Sequence, residues 1–276
     1  MKNRFQIPAA KFRSAKSLPS RVPLRDWLQY LALIVGVGWL IWRGSESLGY
    51  HWQWYQVPRY LFSLRDGTLT MGPLLDGLAV TLKITVISLV LAFVIGLTTA
   101  VFRLSESPLA RLTARSYLEL IRNTPLLVQL FFIYFVLAPV LGIEGFTAAV
   151  LALSLFEGAY VSEIFRAGIL SVPPGQWEAA ASIGLDRLRT YRLVVLPQAV
   201  RYTLPPLASQ AVSLIKDSAL VSTIAIYDLT MQGQIIIAQT YLVFEIWFTV
   251  AAVYLLITTS LSLMVRYLET HLKLEG

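Results

Sequence analysis

Residues 173–206, PPGQWEAAASIGLDRLRTYRLVVLPQAVRYTLPP, decide how the rest of the chain is read. The stretch is too polar for a bilayer yet too regular for a plain loop. Pro173, Pro174 and Gly175 stop whatever helix precedes them, residues 176–183 form a short Ala-rich helix, and Gly184 permits a sharp change of direction. A second short amphipathic helix is expected over 185–196, ending at Pro197. Glu178 and Asp186 stand against Arg187, Arg189, Arg192 and Arg201, so the knob is mostly basic, and both its flanks are strongly apolar. The expectation is a helical knob held at the cytoplasmic face of a membrane protein.

Composition agrees. Apolar residues make up 56% of the 276 positions, charged residues only 14%, and the apolar ones are bunched into runs. The absence of cysteine excludes disulfides, thiol catalysis and thiolate metal sites. Residues 1–26 read as a basic cytoplasmic arm with no acid before Asp26, too long in its charged part for a signal peptide. Residues 27–42, bracketed by Trp27 and Trp42, read as a first transmembrane helix. In 43–73, His51, Trp52, Trp54, Tyr55 and Tyr60 lie among Gly and Pro, an outer aromatic segment expected against lipid headgroups, with contact to a solute-binding protein as its sharper use. Five further spans follow at 74–102, 115–141, 147–170, 207–226 and 241–265. Residues 103–115 form a short basic turn, 227–240 an outer segment and 269–276 a tail. The fold class is therefore an all-α membrane protein with six transmembrane helices.

The net charge of +7 raises nucleic acid as a partner, but its location decides otherwise. Seven Lys and Arg lie in the arm, three in 103–115, five from Arg166 to Arg201 and two at Arg266 and Lys273, against only Arg43, Arg59 and Arg65 on the other side. By the positive-inside rule both termini and the knob are cytoplasmic, and the charge is a topological label. No stretch reads G-x-x-x-x-G-K-[ST], H-E-x-x-H or G-x-S-x-G, and His51 and His271 are far apart. No catalytic residue, metal site or bound cofactor is expected on this chain.

Polar residues inside the spans are costly in hydrocarbon, so they mark pairing or a pathway. Glu119 with Arg122, and Glu163 with Arg166, stand at i, i+3 and are expected to form structural ion pairs on their own helix faces. Glu157 lies about 15 Å into its span, near the bilayer middle. Lys216, Asp217 and Ser218 stand at a similar depth in the next span. Glu157 with Lys216 makes a natural interhelical pair. The alternative is that Glu157 or Asp217 faces a water-filled cavity and holds the ammonium of an amino acid, with Ser218, Asn123 or Thr124 nearby. Pro125, after Asn123 and Thr124, removes a backbone donor, giving either a structural kink or polar backbone exposed to a pathway. Gly96, Gly158 and Gly168 allow close helix approach, which suits a dimer.

Glu178-Ala179-Ala180, Gly184 and Leu196-Pro197 resemble the EAA loop of the membrane subunits of bacterial ABC importers. Residues 119–129 (ELIRNTPLLVQ) and 162–178 are similar to permeases for polar amino acids, and the resemblance covers roughly 74–268. It implies a five-helix permease domain with one extra N-terminal helix, in a bacterial inner membrane. It further implies that the loop over 171–206, through Gly175, Glu178, Ala179, Ala180, Gly184 and Pro197, sits in a groove of a separate ATPase subunit. ATP and Mg would belong to a dimer of that subunit. A second permease subunit would complete the path, and a periplasmic or lipid-anchored amino-acid-binding protein would deliver the solute. The rival readings are an ion-coupled secondary transporter or channel acting without an ATPase, which leaves the knob unexplained, and a membrane anchor, which leaves the intramembrane charge unexplained.

Overall fold

The computed structural model describes residues 24–47, 49–65 and 68–272. Residues 1–23 of the expected basic arm and 273–276 of the expected tail lie outside them. Two units are distinct, divided between Trp52 and Gln53. The first holds α1 (Leu24–Ser47), longer than the apolar run by three residues at its start and five at its end. Trp27, Leu31, Ile34 and Trp39 are all exposed on it, and the Arg43 guanidinium lies 5.3 Å from the Trp39 ring. A helix apolar on every face and buried on none fits a lipid environment.

The second unit opens with a 3-10 turn (Trp54–Gln56), the short α2 (Pro58–Leu61) and a hairpin of β1 (Phe62–Arg65) with β2 (Thr68–Met71). Phe62 pairs with Met71 and Ser63 with Thr70, whose hydroxyls are 2.7 Å apart. This small sheet corrects the all-α expectation. Its signal is the alternation in Phe-Ser-Leu-Arg and Thr-Leu-Thr-Met, which outweighs the aromatic composition of the segment.

The bundle follows. α3 (Pro73–Leu104) begins with a proline in its first turn, where no intrahelical donor is needed. α4 (Pro108–Arg122) is capped by the Ser107 hydroxyl accepting from the Ala110 N–H, and it replaces the expected basic turn at 103–115. Its Ala, Leu and Arg residues favour helix, and nothing breaks it before Pro125. There the chain turns by 105° into α5 (Leu126–Phe131), which passes through a π-turn (Phe132–Leu137) into α6 (Ala138–Leu141). The expected single span over 115–141 is thus two segments. Gly142, at φ +65°, ends α6 in the left-handed region that glycine adopts freely.

α7 (Gly145–Leu170) is the centre of the bundle and packs along α3. A Cβ on Gly96 would meet Val161, and one on Gly158 would meet Ile95. Gly168 faces Thr203 and Ala199. All three glycines therefore serve packing within the chain. The core between these helices is built from Ile84, Leu130, Leu153, Leu214, Val221 and their neighbours.

α8 (Pro174–Ser182) and α9 (Arg187–Thr190) form the knob, but Pro197 does not end it. α9 widens into a π-turn (Tyr191–Val195) that continues as α10 (Leu196–Asp217), and a 3-10 turn (Ser218–Ile224) completes a rod from Arg187 to Ile224. Pro197 sits in the first turn of α10, just after the widened turn, and Pro205 and Pro206 lie inside the helix. α11 (Leu229–Thr240) packs on α3, and α12 (Val243–Leu272) closes the chain. Buried Glu245 of α12 accepts the Gln53 backbone N–H at 2.6 Å. Among the described residues four helices are long and apolar enough to cross a membrane, or six when each bent pair counts as one span.

Candidate functional site

α8 ends in a Schellman cap. Gly184, at φ +78°, donates to the Ala181 carbonyl at 3.0 Å, and Leu185 donates to that of Ala180 at 3.1 Å. Two residues on, Asp186 accepts from the Arg189 N–H at 2.7 Å and starts α9. These two caps fix the elbow. Trp177 stacks edge-on against Tyr191 at 5.1 Å over the cluster of Val172, Val195 and Ala199, so the inner side of the knob is anchored to the rod. Arg187 also pairs with Glu106, between α3 and α4, at 2.5 Å.

The outer side is open. Gly175, Glu178, Ala179, Gly184 and Pro197 are exposed, while Ala180 is buried. Ile183 is 75% exposed and Leu188 77%, two large apolar side chains presented on an otherwise polar turn.

Glu157 of α7 is fully buried. Neither of its carboxylate oxygens meets hydrogen-bond geometry with a described residue, although Gln210 and Asp217 of α10 lie close enough to act on it. The expected Glu157–Lys216 pair is absent: Lys216 is exposed and makes no ion pair among the described residues, because α10 turns it away while half-buried Asp217 faces inward. Ser218 donates to the Ile215 carbonyl at 2.8 Å. Gln210, not singled out as a site residue from sequence, stands nearest to Glu157 in role.

Asn123 and Thr124 serve the chain break. Asn123 donates to the Glu119 carbonyl at 2.7 Å and Thr124 to the Leu120 carbonyl at 2.9 Å. Sequence reasoning passed over Gln129, whose amide nitrogen reaches the Ile121 carbonyl at 2.7 Å, the Thr124 carbonyl at 3.0 Å and the Thr124 hydroxyl at 2.8 Å. Thr124 and Gln129 border an apolar cavity of about 360 Å³ with Val128, Phe132 and Leu155.

The structural ion pairs differ from expectation in one half. Arg166 pairs with Glu163 at 3.1 Å on one helix, as i, i+3 spacing suggests. Glu119 pairs instead with Arg115 at 2.7 Å, because Arg122 reaches across to Glu163 at 2.8 Å. Arg103 of α3 also reaches Glu163 at 2.7 Å, so one carboxylate joins α3, α4 and α7.

The structure thus combines a helical bundle of membrane-crossing length, a braced helical turn open on its outer side and a buried carboxylate midway along α7. The chain belongs to the family of binding-protein-dependent transport system inner membrane components, which matches residues 92–274. It is therefore a membrane-spanning permease subunit of an ABC importer, which sets aside the ion-coupled carrier and the anchor. Among its relatives, the glutamine transport system permease protein GlnP of Escherichia coli K12 is 43% identical over 204 residues, 73% of this chain and 93% of that protein. The L-cystine transport system permease protein TcyB of Bacillus subtilis is 41% identical, over 72% and 87%. A solved amino acid ABC transporter with histidines is 41% identical with a TM-score of 0.69, covering 72% of this chain and 94% of its own. The inward-facing MetNI methionine ABC transporter, at 21% identity and a TM-score of 0.58, shares the fold.

Proposed function

We propose that this chain and a second permease subunit, identical or related, enclose the pathway by which a polar amino acid crosses a bacterial inner membrane. In this reading six spans cross the bilayer with both termini cytoplasmic, as the Lys and Arg distribution favours. The α8–α9 knob docks in a groove of an ATPase dimer that carries ATP and Mg, and a periplasmic or lipid-anchored binding protein supplies solute at the other face. The glutamine and cystine permeases among the relatives support the substrate class.

The observation that carries this reading is the rod from Arg187 to Ile224. It holds the knob at one end and, about 35 Å along at 1.5 Å per residue, the Gln210 that faces Glu157. A displacement imposed on α8 and α9 by closure of the ATPase pair is carried along α10 without an intervening loop. It changes what Gln210 and Asp217 present to Glu157. In the arrangement that opens a cavity there, Glu157 would take a solute ammonium that otherwise has no partner in the hydrocarbon. When ATP is spent the rod returns and the site faces inward.

The test is uptake of labelled glutamine and ATP hydrolysis measured together in proteoliposomes holding the full complex. Glu178→Lys alters the exposed face, and Gly184→Val forces a left-handed residue, at about 1–2 kcal/mol, in the elbow. Both variants are expected to insert normally and retain ATPase turnover while uptake collapses. Normal uptake with the ATPase still attached would refute the coupling role.

A further inference from the structure

A cleft of about 650 Å³ opens where the end of α3, the length of α4 and Glu163 of α7 meet. Arg103, Arg111, Arg115 and Arg122 line it with Asn123, against only two carboxylates, Glu119 and Glu163, a surplus of two positive charges. Those carboxylates are already shared. Glu119 is taken by Arg115, and Glu163 by Arg103, Arg122 and Arg166. Arg111 makes no ion pair among the described residues. Nη1 of Arg103 is buried and close to Glu163, yet it lacks hydrogen-bond alignment with any described acceptor. Guanidinium forks held this way have donors to spare.

α4 itself shows where the cleft stands. Leu109, Leu112 and Leu120 are 73%, 61% and 66% exposed along one stripe. At 100° per residue, Arg111, Arg115 and Arg122 fall on a second stripe roughly 130° round from it, beside the buried face of Ala114, Leu118 and Ile121. α4 is bent 105° from α5–α6, so if the latter crosses a bilayer near its normal, α4 lies near the membrane plane. An interfacial helix with exposed leucines along one stripe and arginines along a separate one matches the headgroup zone. A tetrahedral phosphate accepts several Arg forks at once, which a single carboxylate cannot do as fully.

We propose that this cleft is a phosphate-group site, filled by the headgroup of an acidic phospholipid or by free phosphate. It joins three elements through Glu163 and lies beside the Glu106–Arg187 link, so its occupant would brace the end of the bundle that carries the knob. Its test does not depend on transport.

Native mass spectrometry of the full-length chain, released from membranes holding phosphatidylglycerol and phosphatidylcholine, reads retained lipid. A parallel arm follows thermal unfolding in phosphatidylcholine nanodiscs with added inorganic phosphate. Selective phosphatidylglycerol retention that falls about tenfold in Arg111→Gln/Arg115→Gln, while Arg189→Gln behaves as the wild type, supports the site with lipid as its source. A rise in unfolding temperature with phosphate alone, lost in the same double variant, supports it with the free ion as source. Equal retention of both lipids and no phosphate response in the wild-type chain overturns the proposal. So does a response that the double variant keeps. If that variant fails to fold, the wild-type arms decide: selective lipid retention displaced by phosphate supports the site, and its absence overturns it.

Discussion

Pro125 has no N–H to give, and the carbonyl left without its helical donor is that of Ile121, four residues back. The amide of Gln129 fills that place at 2.7 Å and holds the Thr124 carbonyl and hydroxyl as well. One buried side chain thus stitches a 105° break closed. Gln129→Leu preserves size and removes the donor, so buried carbonyls are stranded and the fold loses about 1–3 kcal/mol. The check is thermal unfolding of the purified chain in detergent, where a midpoint unchanged from wild type would count against this account. Pro125 and its polar neighbours were legible in the sequence as a break. The stitch was not, because it spans eight residues around a corner whose angle no local pattern specifies. The same limit applies to Glu163: spacing on one helix reveals Arg166, but Arg103 and Arg122 arrive from other elements by packing alone.

At the scale of elements, prolines are absorbed as well as obeyed. The π-turn over Phe132–Leu137 comes just before Pro139, and the one over Tyr191–Val195 just before Pro197. A wider turn relieves the clash of the ring with the preceding carbonyl, so the helix continues where propensity alone predicts a stop. That is why the start of the knob was legible from Pro173, Pro174 and Gly184 while its end was misplaced. Glycines divide similarly. On α3, Gly96 lies where a Cβ would come 2.5 Å from Val161 of α7, whereas on α8 Gly175 has nothing within 4 Å. Gly96→Val is expected to overpack the α3–α7 seam and cost about 1–3 kcal/mol. Gly175→Ala is expected to stabilise α8 slightly, because alanine favours helix. Unfolding midpoints of the two variants, measured side by side, should move in opposite directions; a tolerated Gly96→Val would mean that the seam is looser than its geometry.

For the whole molecule the question is how motion at the knob stays attached to the bundle. Besides its covalent joins to α7 and to the rod and the packing of Trp177 on Tyr191, the knob has the contact of Arg187 with Glu106 at 2.5 Å, which ties it to the end of α3. Both partners are exposed, at 66% and 83%, so solvent screens the pair and it adds little to stability. In the proposed coupling its value lies in position, since a displaced knob that drags Glu106 would also move α3, and α3 is the helix packed along α7 where Glu157 stands. Arg187→Glu sets two carboxylates face to face there. The expected result is an unchanged unfolding temperature with uptake per ATP reduced several-fold. Adding Glu106→Arg restores opposite charges in exchanged places, and uptake per ATP should return most of the way. A double variant as poorly coupled as the single one would show that Arg187 acts on the ATPase partner directly and that the rod alone carries the stroke.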